Sequence, residues 1–447
     1  MYDLIVIGAG PGGYEAAAHA AHLGKRVALV ERERLGGTCL NVGCIPAKTF
    51  LRSSKLYHEC LQAAAYGVRL GSVEFDMPAV VERKNRVVST LTNGVGGMLQ
   101  RAGVDVISGT AKLISGRVVE VGVNRIEADN ILIATGSKPA VPPIPGITSD
   151  RVLDSDTVFG LTSVPQSIAI IGGGYIGLEF ACFFNEIGTK VTVYEMLPQI
   201  ATGSDQEISQ RLFQVLKRAG VDFRLSCKVL EIKGGDIQYV NADGSRALDS
   251  SDYILNATGR VPNIANIGLE EARVDFSPKG IKTSDQGKTN VPGVWACGDV
   301  TGRRMLAHAA TREGIVAVNN MFGRKDRIRY HALPAVIYTH PEVASVGRTE
   351  EELKSQGIAY KKAVVPMAVA GRFLIENEGA SGFVKVLTGA RHGEILGVHA
   401  IGDASSEFII AAAAMVETEM CVSHASDVIF PHPTVSEALR EAILKVA

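Results

Sequence analysis

Two cysteines, Cys39 and Cys44, lie in a glycine-rich stretch from Gly36 to Lys48, and their type and spacing indicate chemistry. A metal site would need two more Cys or His ligands at similar spacing, and the next candidates, His58 and Cys60, belong to a different helical run. A second interpretation is a pair of unrelated core thiols. The pattern favours a third, a redox-active disulfide.

Backbone geometry sets a condition on this disulfide. Residues five positions apart in an ideal helix are separated by about 7.5 Å along the axis and by ~140° around it. The Cα atoms of a disulfide lie within ~7 Å of each other. The helix must therefore be distorted between Cys39 and Cys44, and Gly43 supplies the backbone freedom. A strained disulfide at a helix start is easily reduced, which suits a dithiol that cycles.

Length and composition limit the classes of function. A chain of 447 residues is too long for one core, so we expect two to four domains, and the 46% apolar content is ample for burying them. The net charge of -1 argues against nucleic acid and anionic membranes as main partners. The longest apolar run, Phe408 to Val416, is too short to span a bilayer.

The cysteine count and the first residues bear on location. The chain has seven cysteines, and five of them are scattered, namely Cys60, Cys182, Cys227, Cys297 and Cys421. We interpret those five as reduced core thiols, which predicts a reducing, cytoplasmic compartment. A strand pattern begins almost at Met1, so no signal peptide is predicted.

A strand, a glycine-rich turn, a helix and a second strand follow one another at the start of the sequence. Tyr2 to Ile7 is apolar after its second residue, and the glycines of Gly8 to Gly13 come next. An alanine-rich helix is predicted over Tyr14 to Leu23, and a strand over Arg26 to Val30 ends at Glu31. This order is typical of a dinucleotide-binding unit.

Each glycine in that turn has a physical role in this interpretation. Gly8 allows the tight turn, Gly10 lets the backbone approach a pyrophosphate, and Gly13 lets helix and strand pack closely. Glu31 follows at the usual distance of about 20 residues and would accept hydrogen bonds from ribose hydroxyls. The alternative is an ordinary glycine-rich turn.

The region after the cysteines is predicted to be helical from Leu51 to Gln100. Four short strands are then expected to form a small antiparallel layer, at Val104 to Ile107, Ala111 to Ile114, Val118 to Val121 and Arg125 to Ile126. A further strand, Ile131 to Ala134, ends in Thr135-Gly136-Ser137, and a proline-rich linker follows it.

The dinucleotide pattern is repeated later in the chain. The strand Ser167 to Ile171 precedes the glycines of Gly172 to Gly177, and a helix over Leu178 to Ile187 follows. The next strand, Lys190 to Tyr194, ends at Glu195, in the same relation to its glycines as in the first unit. An acid at this position favours an unphosphorylated ribose, hence NAD over NADP.

Two further strands end in residues that suit a cofactor. Asp252 to Asn256 ends in Ala257-Thr258-Gly259, which echoes Ala134-Thr135-Gly136 and suggests that both halves end against a cofactor. A strand from Val294 ends in Gly298-Asp299, where the aspartate could reach a ribityl hydroxyl or could belong to an ordinary turn.

The last third of the chain reads as an α+β domain without a nucleotide pattern, for which we predict a dimerisation role. It contains His432, which is flanked by Pro431 and Pro433 that fix the local backbone. One interpretation is an acid–base imidazole held by Glu437. The alternative is a loop histidine beside a helix cap, because Thr434 and Glu437 have capping-box spacing.

Taken together, the motifs resemble those of the pyridine nucleotide–disulfide oxidoreductases, and within them the dihydrolipoamide dehydrogenase branch. The resemblance covers the whole chain and rests on Gly8 to Gly13, Gly36 to Lys48, Gly172 to Glu179, Gly298-Asp299, Val336 to Val343 and His432 to Glu437. The segment Ile45-Pro46-Ala47-Lys48 is more similar to that branch than to glutathione reductase.

The resemblance implies a fold and its cofactors. The fold class would be α/β, with two Rossmann-like dinucleotide-binding domains and a C-terminal α+β dimerisation domain. The expected boundaries are 1–142 for the first part of the FAD-binding domain, 143–262 for the NAD-binding domain, 263–329 for the second part of the FAD-binding domain, and 330–447 for dimerisation. FAD would contact Gly8, Gly10, Gly13, Glu31, Lys48, Thr135, Gly136, Ser137, Asp299 and Ala307. NAD would contact Gly172, Gly174, Gly177, Glu179, Glu195 and Gly259, and no metal is expected.

The resemblance also implies catalytic roles. Cys44 would face the flavin as a charge-transfer thiolate, and Cys39 would exchange with the substrate dithiol. Lys48 would pair with Glu179 near the reactive nitrogen of the flavin. His432 of the partner subunit, oriented by Glu437, would deprotonate the incoming thiol. The implied reaction is oxidation of protein-bound dihydrolipoamide with reduction of NAD, by a homodimer that serves a 2-oxoacid dehydrogenase or glycine cleavage complex.

Two rival functions remain open from the sequence. One is a reductase of glutathione or another small disulfide that uses the same machinery with NADPH. The other is a non-catalytic flavoprotein that acts as a redox sensor or assembly subunit, although such a protein would need no terminal acid–base group.

Overall fold

The structure is a computed structural model that describes residues 1–447, and a mixed sheet organises its N-terminal part. The elements of this part are β1 (Tyr2–Ile7), α1 (Pro11–His22), β2 (Val27–Glu31), α2 (Gly37–Val42), α3 (Cys44–Leu61), α4 (Met77–Ala102), β3 (Asp105–Ser108), β4 (Ala111–Leu113), β5 (Val118–Val121), β6 (Asn124–Ile133) and β7 (Ser137–Pro139). The sheet order is β3-β2-β1-β6-β5-β4.

The first dinucleotide unit forms as predicted. Strand β1 is parallel to both β2 and β6, and its residues Leu4 to Val6 are fully buried between layers. Helix α1 begins at Pro11, three residues earlier than expected, because proline is well suited to the first helical position. The glycine turn therefore lies at the carboxyl end of β1, where such sheets bind ligands.

The predicted antiparallel layer is partly wrong. Strand β3 is parallel to β2, because the long helix α4 makes the crossover that parallel pairing requires. The strands expected at Arg125 to Ile126 and Ile131 to Ala134 are one continuous strand, β6, which is antiparallel to β5 and then parallel to β1. The helical stretch is also interrupted, since residues 67–76 lie between helices.

The second unit contains another parallel sheet. Its elements are β8 (Val152–Asp154), β9 (Ser167–Ile171), α5 (Tyr175–Glu186), β10 (Lys190–Tyr194), α6 (Gln206–Arg218), β11 (Asp222–Arg224), β12 (Lys228–Lys233), β13 (Asp236–Val240), β14 (Arg246–Ser250), β15 (Tyr253–Asn256) and β16 (Arg260–Pro262). The parallel order is β11-β10-β9-β15-β8, and β12, β13 and β14 form a separate antiparallel sheet.

After the second unit the chain returns to the first sheet. The elements here are β17 (Phe276–Ser277), β18 (Gly280–Ile281), β19 (Val294–Ala296) and α7 (Ala307–Met321). Strand β19 lies parallel to β6, and β7 pairs with β16 where the chain passes between the units. This path supports the division of the FAD-binding domain into two parts, whose exact boundaries stay predictions.

The C-terminal part is an antiparallel sheet covered by helices. Its elements are β20 (Ala335–Ile337), β21 (Val343–Gly347), α8 (Glu350–Ser355), β22 (Tyr360–Pro366), α9 (Gly371–Glu376), β23 (Phe383–Gly389), β24 (Ile395–Ile401), α10 (Ser405–Glu417), α11 (Val422–Ala425) and α12 (Glu437–Val446). The order is β20-β21-β24-β23-β22, and its core includes apolar residues of α10 and α12. The predicted α+β architecture is confirmed.

A buried ion cluster joins this C-terminal part to the second unit. The Nζ atom of Lys385, on β23, lies 2.8 Å from Asp205, and both side chains are fully buried. The carboxylate of Glu350 lies 2.6 Å from the same ammonium group. Because Asp205 also caps α6, the cluster fixes the second unit against the C-terminal sheet.

None of the helices combines the length and the apolar character that crossing a bilayer requires. The structure also contains no group of three or more His, Cys, Asp or Glu side chains arranged to hold a metal ion.

Candidate active site

The two redox cysteines lie on separate helices that meet at Gly43. Cys39 belongs to α2, and Cys44 is the first residue of α3. Gly43 has φ −135° and ψ −113°, and a Cβ atom there would lie 2.9 Å from the carbonyl oxygen of Thr38. The predicted break of the helix at Gly43 is confirmed, and it brings the two thiols within hydrogen-bonding reach.

The two thiols have opposite acidities. The hydrogen bond from the Cys39 thiol, together with the positive charge of Lys48, lowers the pKa of Cys44 to about 7. The same hydrogen bond, together with burial, raises the pKa of Cys39. Cys44 also lies at the start of α3, where the helix dipole favours a thiolate. In the reduced pair the thiolate is therefore on Cys44.

Lys48 lies one turn further along α3 and pairs with Glu179 of α5. Its Nζ atom is 2.8 and 3.0 Å from the two carboxylate oxygens, and it lies 4.5 Å from the ring centroid of Tyr338. The backbone N–H of Tyr338 donates to the same carboxylate at 3.1 Å. All three parts of the chain therefore converge beside Cys44, and the contact of Tyr338 was not predicted, although it lies within the segment Val336 to Val343.

The first glycine turn has the shape of a pyrophosphate cradle. A Cβ atom on Gly13 would lie 1.9 Å from the carbonyl oxygen of Gly8, so helix and strand pack as closely as predicted. No side chain caps α1 at Gly10, and because Pro11 has no N–H and the Gly13 N–H donates to Gly10, the Gly12 N–H remains available to an anion. Glu31 accepts hydrogen bonds from the N–H groups of Ala9 and Glu33, both at 2.8 Å, and keeps further lone pairs for a ribose.

Four other predicted FAD contacts follow β6 and β19. Gly136 has φ +69° and open space where a Cβ atom would lie. The Ser137 hydroxyl donates to Asp299 at 2.6 Å, and Asp299 lies in the turn that follows β19. Ala307 begins α7, which also has no side-chain cap, so the positive end of this helix is available as well. These features fit a flavin and its ribityl chain.

The second unit reproduces the first cradle. Gly172 has φ +112°, and a Cβ atom on Gly177 would lie 2.0 Å from its carbonyl oxygen. Space is open at Gly174, where α5 begins without a side-chain cap. Glu195 accepts hydrogen bonds from the N–H groups of Gly173 and Leu197, both at 2.7 Å, as Glu31 does from its own neighbours.

The surroundings of Glu195 agree with an unphosphorylated ribose. The nearest arginine along the sheet is Arg224 on β11, and its guanidinium pairs with Asp222 at 2.7 Å. The guanidinium also lies 3.8 Å from Asp249, so its positive charge is already compensated by carboxylates and is not free to bind a ribose phosphate. Gly259, with φ +110° and open space, occupies the same position after β15 that Gly136 occupies after β6.

His432 and Glu437 lie at the start of α12. The Nδ1 atom of His432 is 2.9 Å from Glu437, and the imidazole is 79% exposed. Because a carboxylate only accepts, Nδ1 donates, and in the neutral ring Nε2 remains a base. This hydrogen bond and that from the Thr434 N–H hold the pKa of Glu437 below its usual value.

Only half of the predicted capping box forms, since the Thr434 N–H donates to the Glu437 carboxylate at 3.0 Å. Helix α12 begins at Glu437 with Ser436 as its N-cap, and the Thr434 hydroxyl donates to the Pro431 carbonyl group instead. Thr434 is therefore not the N-cap of α12, although its N–H shares the Glu437 carboxylate with His432. Within one chain no hydrogen bond joins His432 to the cysteine pair.

Family comparison agrees with this geometry. Residues 2–314 match the model of the pyridine nucleotide-disulphide oxidoreductases, and residues 333–443 match the dimerisation domain of the same family. The chain belongs to the pyridine nucleotide-disulphide oxidoreductases. Membership of this flavin-dependent family implies FAD and a nicotinamide nucleotide, which the two cradles fit, and the dimerisation domain supports a homodimer.

Several proteins of this family are similar to this chain over nearly the full length of both sequences. A protein named dihydrolipoyl dehydrogenase 3 from Pseudomonas aeruginosa is 41% identical, over 100% of this chain and 98% of its own. A dihydrolipoyl dehydrogenase from Bacillus subtilis is 38% identical, over 99% of this chain and 98% of its own. The HOCl-induced flavoprotein disulfide reductase RclA from Escherichia coli has a TM-score of 0.89 at 29% identity, and the match covers 100% of both chains.

Proposed function

We propose that the protein is an NAD-dependent dihydrolipoyl dehydrogenase. The observation that carries this function is the placement of Cys39 and Cys44 on either side of the break at Gly43, with Cys44 at a helix start beside the pair of Lys48 and Glu179. One dinucleotide cradle precedes this group in the chain, and a second supplies Glu179 itself. The full-length relatives named dihydrolipoyl dehydrogenase support the same substrate.

The residues of the chain divide the reaction into simple steps. The partner subunit's His432 takes a proton from dihydrolipoamide through Nε2, and the thiolate attacks the sulfur of Cys39 in the Cys39–Cys44 disulfide. The second substrate thiol then displaces Cys39, which releases lipoamide and leaves a dithiol with two electrons and two protons more than the disulfide. When bound, FAD supplies the two-electron relay between this dithiol and NAD.

Lys48 and Glu179 serve the site electrostatically in this proposal. The ammonium group favours the Cys44 thiolate, and Glu179 holds it at a fixed position 2.8 Å away. Tyr338 covers the ammonium group on one side. Lys48 is therefore placed to stabilise negative charge that develops on Cys44 or on a bound flavin.

Turnover assays with purified protein test the function directly. We expect a yellow protein that reduces NAD with dihydrolipoamide and is at least about tenfold less active with NADP. Inactivity toward dihydrolipoamide, combined with NADPH-dependent reduction of glutathione disulfide, would establish the small-disulfide reductase instead. A coloured protein with no turnover on either substrate would indicate the sensor.

Glu195 should determine the affinity for NAD. We expect Glu195→Ala to raise the KM for NAD by about tenfold, because two ribose hydrogen bonds to a carboxylate are lost. Glu231→Ala, at an exposed position of the same unit, is the matched control and should leave the KM unchanged. Steady-state kinetics measure both, and an unchanged KM in Glu195→Ala would place the ribose elsewhere.

The proposal extends to the cellular context. We infer that the substrate is a lipoyl group carried by a protein of a 2-oxoacid dehydrogenase or glycine cleavage complex, since the enzymes of that type use this chemistry. The scattered cysteines, three of which are buried free thiols, support a cytoplasmic location.

A further inference from the structure

Arg260 lies where the two dinucleotide units meet. It begins β16, which pairs antiparallel with β7 so that Arg260 opposes Pro139 and Pro262 opposes Ser137. Its side chain is only 11% exposed. A cation so nearly buried needs partners to compensate its lost hydration.

The guanidinium has four hydrogen bonds to two separate segments. Toward the first unit, its Nε donates to the Ser137 hydroxyl at 2.9 Å and its Nη2 donates to the Ser137 carbonyl oxygen at 3.0 Å. Toward the second unit, its Nη1 donates to Ser155 at 2.9 Å and to Asp156 at 3.0 Å. Arg260 therefore binds both the side chain and the backbone of Ser137.

Ser137 passes this constraint on to Asp299. Its hydroxyl has a single proton, and because the guanidinium of Arg260 can only donate to this hydroxyl, that proton is directed to Asp299 Oδ2 at 2.6 Å. The other carboxylate oxygen, Oδ1, has no protein partner and remains available to a ligand. Burial raises the pKa of Asp299, and the hydrogen bond from Ser137 and the charge of Arg260 oppose that rise.

We propose that Arg260 is a positioning residue for FAD, which acts through the Ser137 hydroxyl to orient Asp299 toward the ribityl chain. The inference rests on the proposed function, because it takes Asp299 as a flavin contact. It adds that the orienting group comes from the second unit, at the end of the segment Ala257-Thr258-Gly259. The NAD-binding unit thus contributes to FAD retention through an arginine whose four hydrogen bonds all go to protein groups.

Release of FAD from the holoenzyme, followed by flavin fluorescence after dilution, tests this role. We expect Arg260→Gln and Ser137→Ala each to raise the FAD dissociation constant by about tenfold or more, because each leaves a buried polar partner unmatched. The double variant should be no weaker than the worse single variant, since both remove one linked chain of hydrogen bonds. Arg304→Gln, at an exposed position without a partner, is the matched control and should retain FAD.

The outcomes separate a positioning role from a purely structural one. A simple staple between units would lower the melting temperature in Arg260→Gln and leave FAD affinity unchanged, which would overturn the inference. Independent, multiplying effects in the double variant would overturn it as well. If Arg260→Gln fails to fold, the smaller change Ser137→Ala decides the matter. A wild-type affinity for FAD in Ser137→Ala would by itself overturn the inference. A wild-type protein without FAD would overturn the proposed function itself.

Discussion

Replacing Cys44 with serine should reduce turnover of dihydrolipoamide by about a thousandfold or more, because the covalent relay through two sulfurs is lost. Steady-state reduction of NAD measures the loss. Cys60→Ser is the matched control, since Cys60 is a free, partly exposed thiol on the same helix α3. It should retain wild-type turnover.

The spectrum of the same variants distinguishes the two cysteines. A thiolate against oxidised flavin absorbs at long wavelength, so Cys39→Ser should show this band and Cys44→Ser should lack it. In the reduced wild-type enzyme, the pKa of Cys44 at about 7 means that the band is present above that pH and is lost as the pH falls through it. A band retained in Cys44→Ser and absent from Cys39→Ser would reverse the assignment.

Replacing His432 with glutamine should lower kcat for dihydrolipoamide by about 10²- to 10⁴-fold, the usual range for loss of a general base. The melting temperature should change little, because the imidazole is 79% exposed. Glu437→Gln should cause a smaller loss, since it weakens only the orientation of the ring. Unchanged turnover with a lower melting temperature would show that His432 serves the start of α12 instead.

Mixed dimers test whether His432 acts across the dimer. Homodimers of Cys44→Ser and of His432→Gln should each retain at most about a hundredth of the wild-type activity. A heterodimer of the two variants has one site that combines an intact cysteine pair with an intact His432 of the partner subunit. Subunit exchange should therefore restore up to about half of the activity of a wild-type dimer. If His432 acts within its own chain, the mixed dimer stays inactive.

The features that follow local rules could be predicted from the sequence. Both dinucleotide units, with Glu31 and Glu195 at their strand ends, depend on spacing that one βαβ segment fixes. The break at Gly43 follows from the reach of a disulfide. The contact between His432 and Glu437 is likewise local, although the N-cap of α12 is Ser436 and not Thr434, two residue types that both suit this position.

The features that depend on distant pairing could not be predicted. Strand β6 changes partners halfway along its length, and nothing in its own residues marks that point. The hydrogen bonds from Arg260 to Ser137 join residues far apart in the chain. An arginine that follows a glycine does not by itself indicate such a partner. The fully buried charge of Lys385 is compensated by Asp205 and Glu350, which belong to two other parts of the chain.

The late arrival of β19 has a consequence for synthesis on the ribosome. The platform for the flavin needs Val294 to Ala296 beside β6, and α7 must then pack on α1, where Gly314 meets the carbonyl oxygen of Gly12. A nascent chain has produced the entire second unit before either contact can form. The FAD site is therefore completed only after the nicotinamide-binding unit has left the exit tunnel. The dinucleotide cradle that comes first in the sequence is thus the one that is completed last.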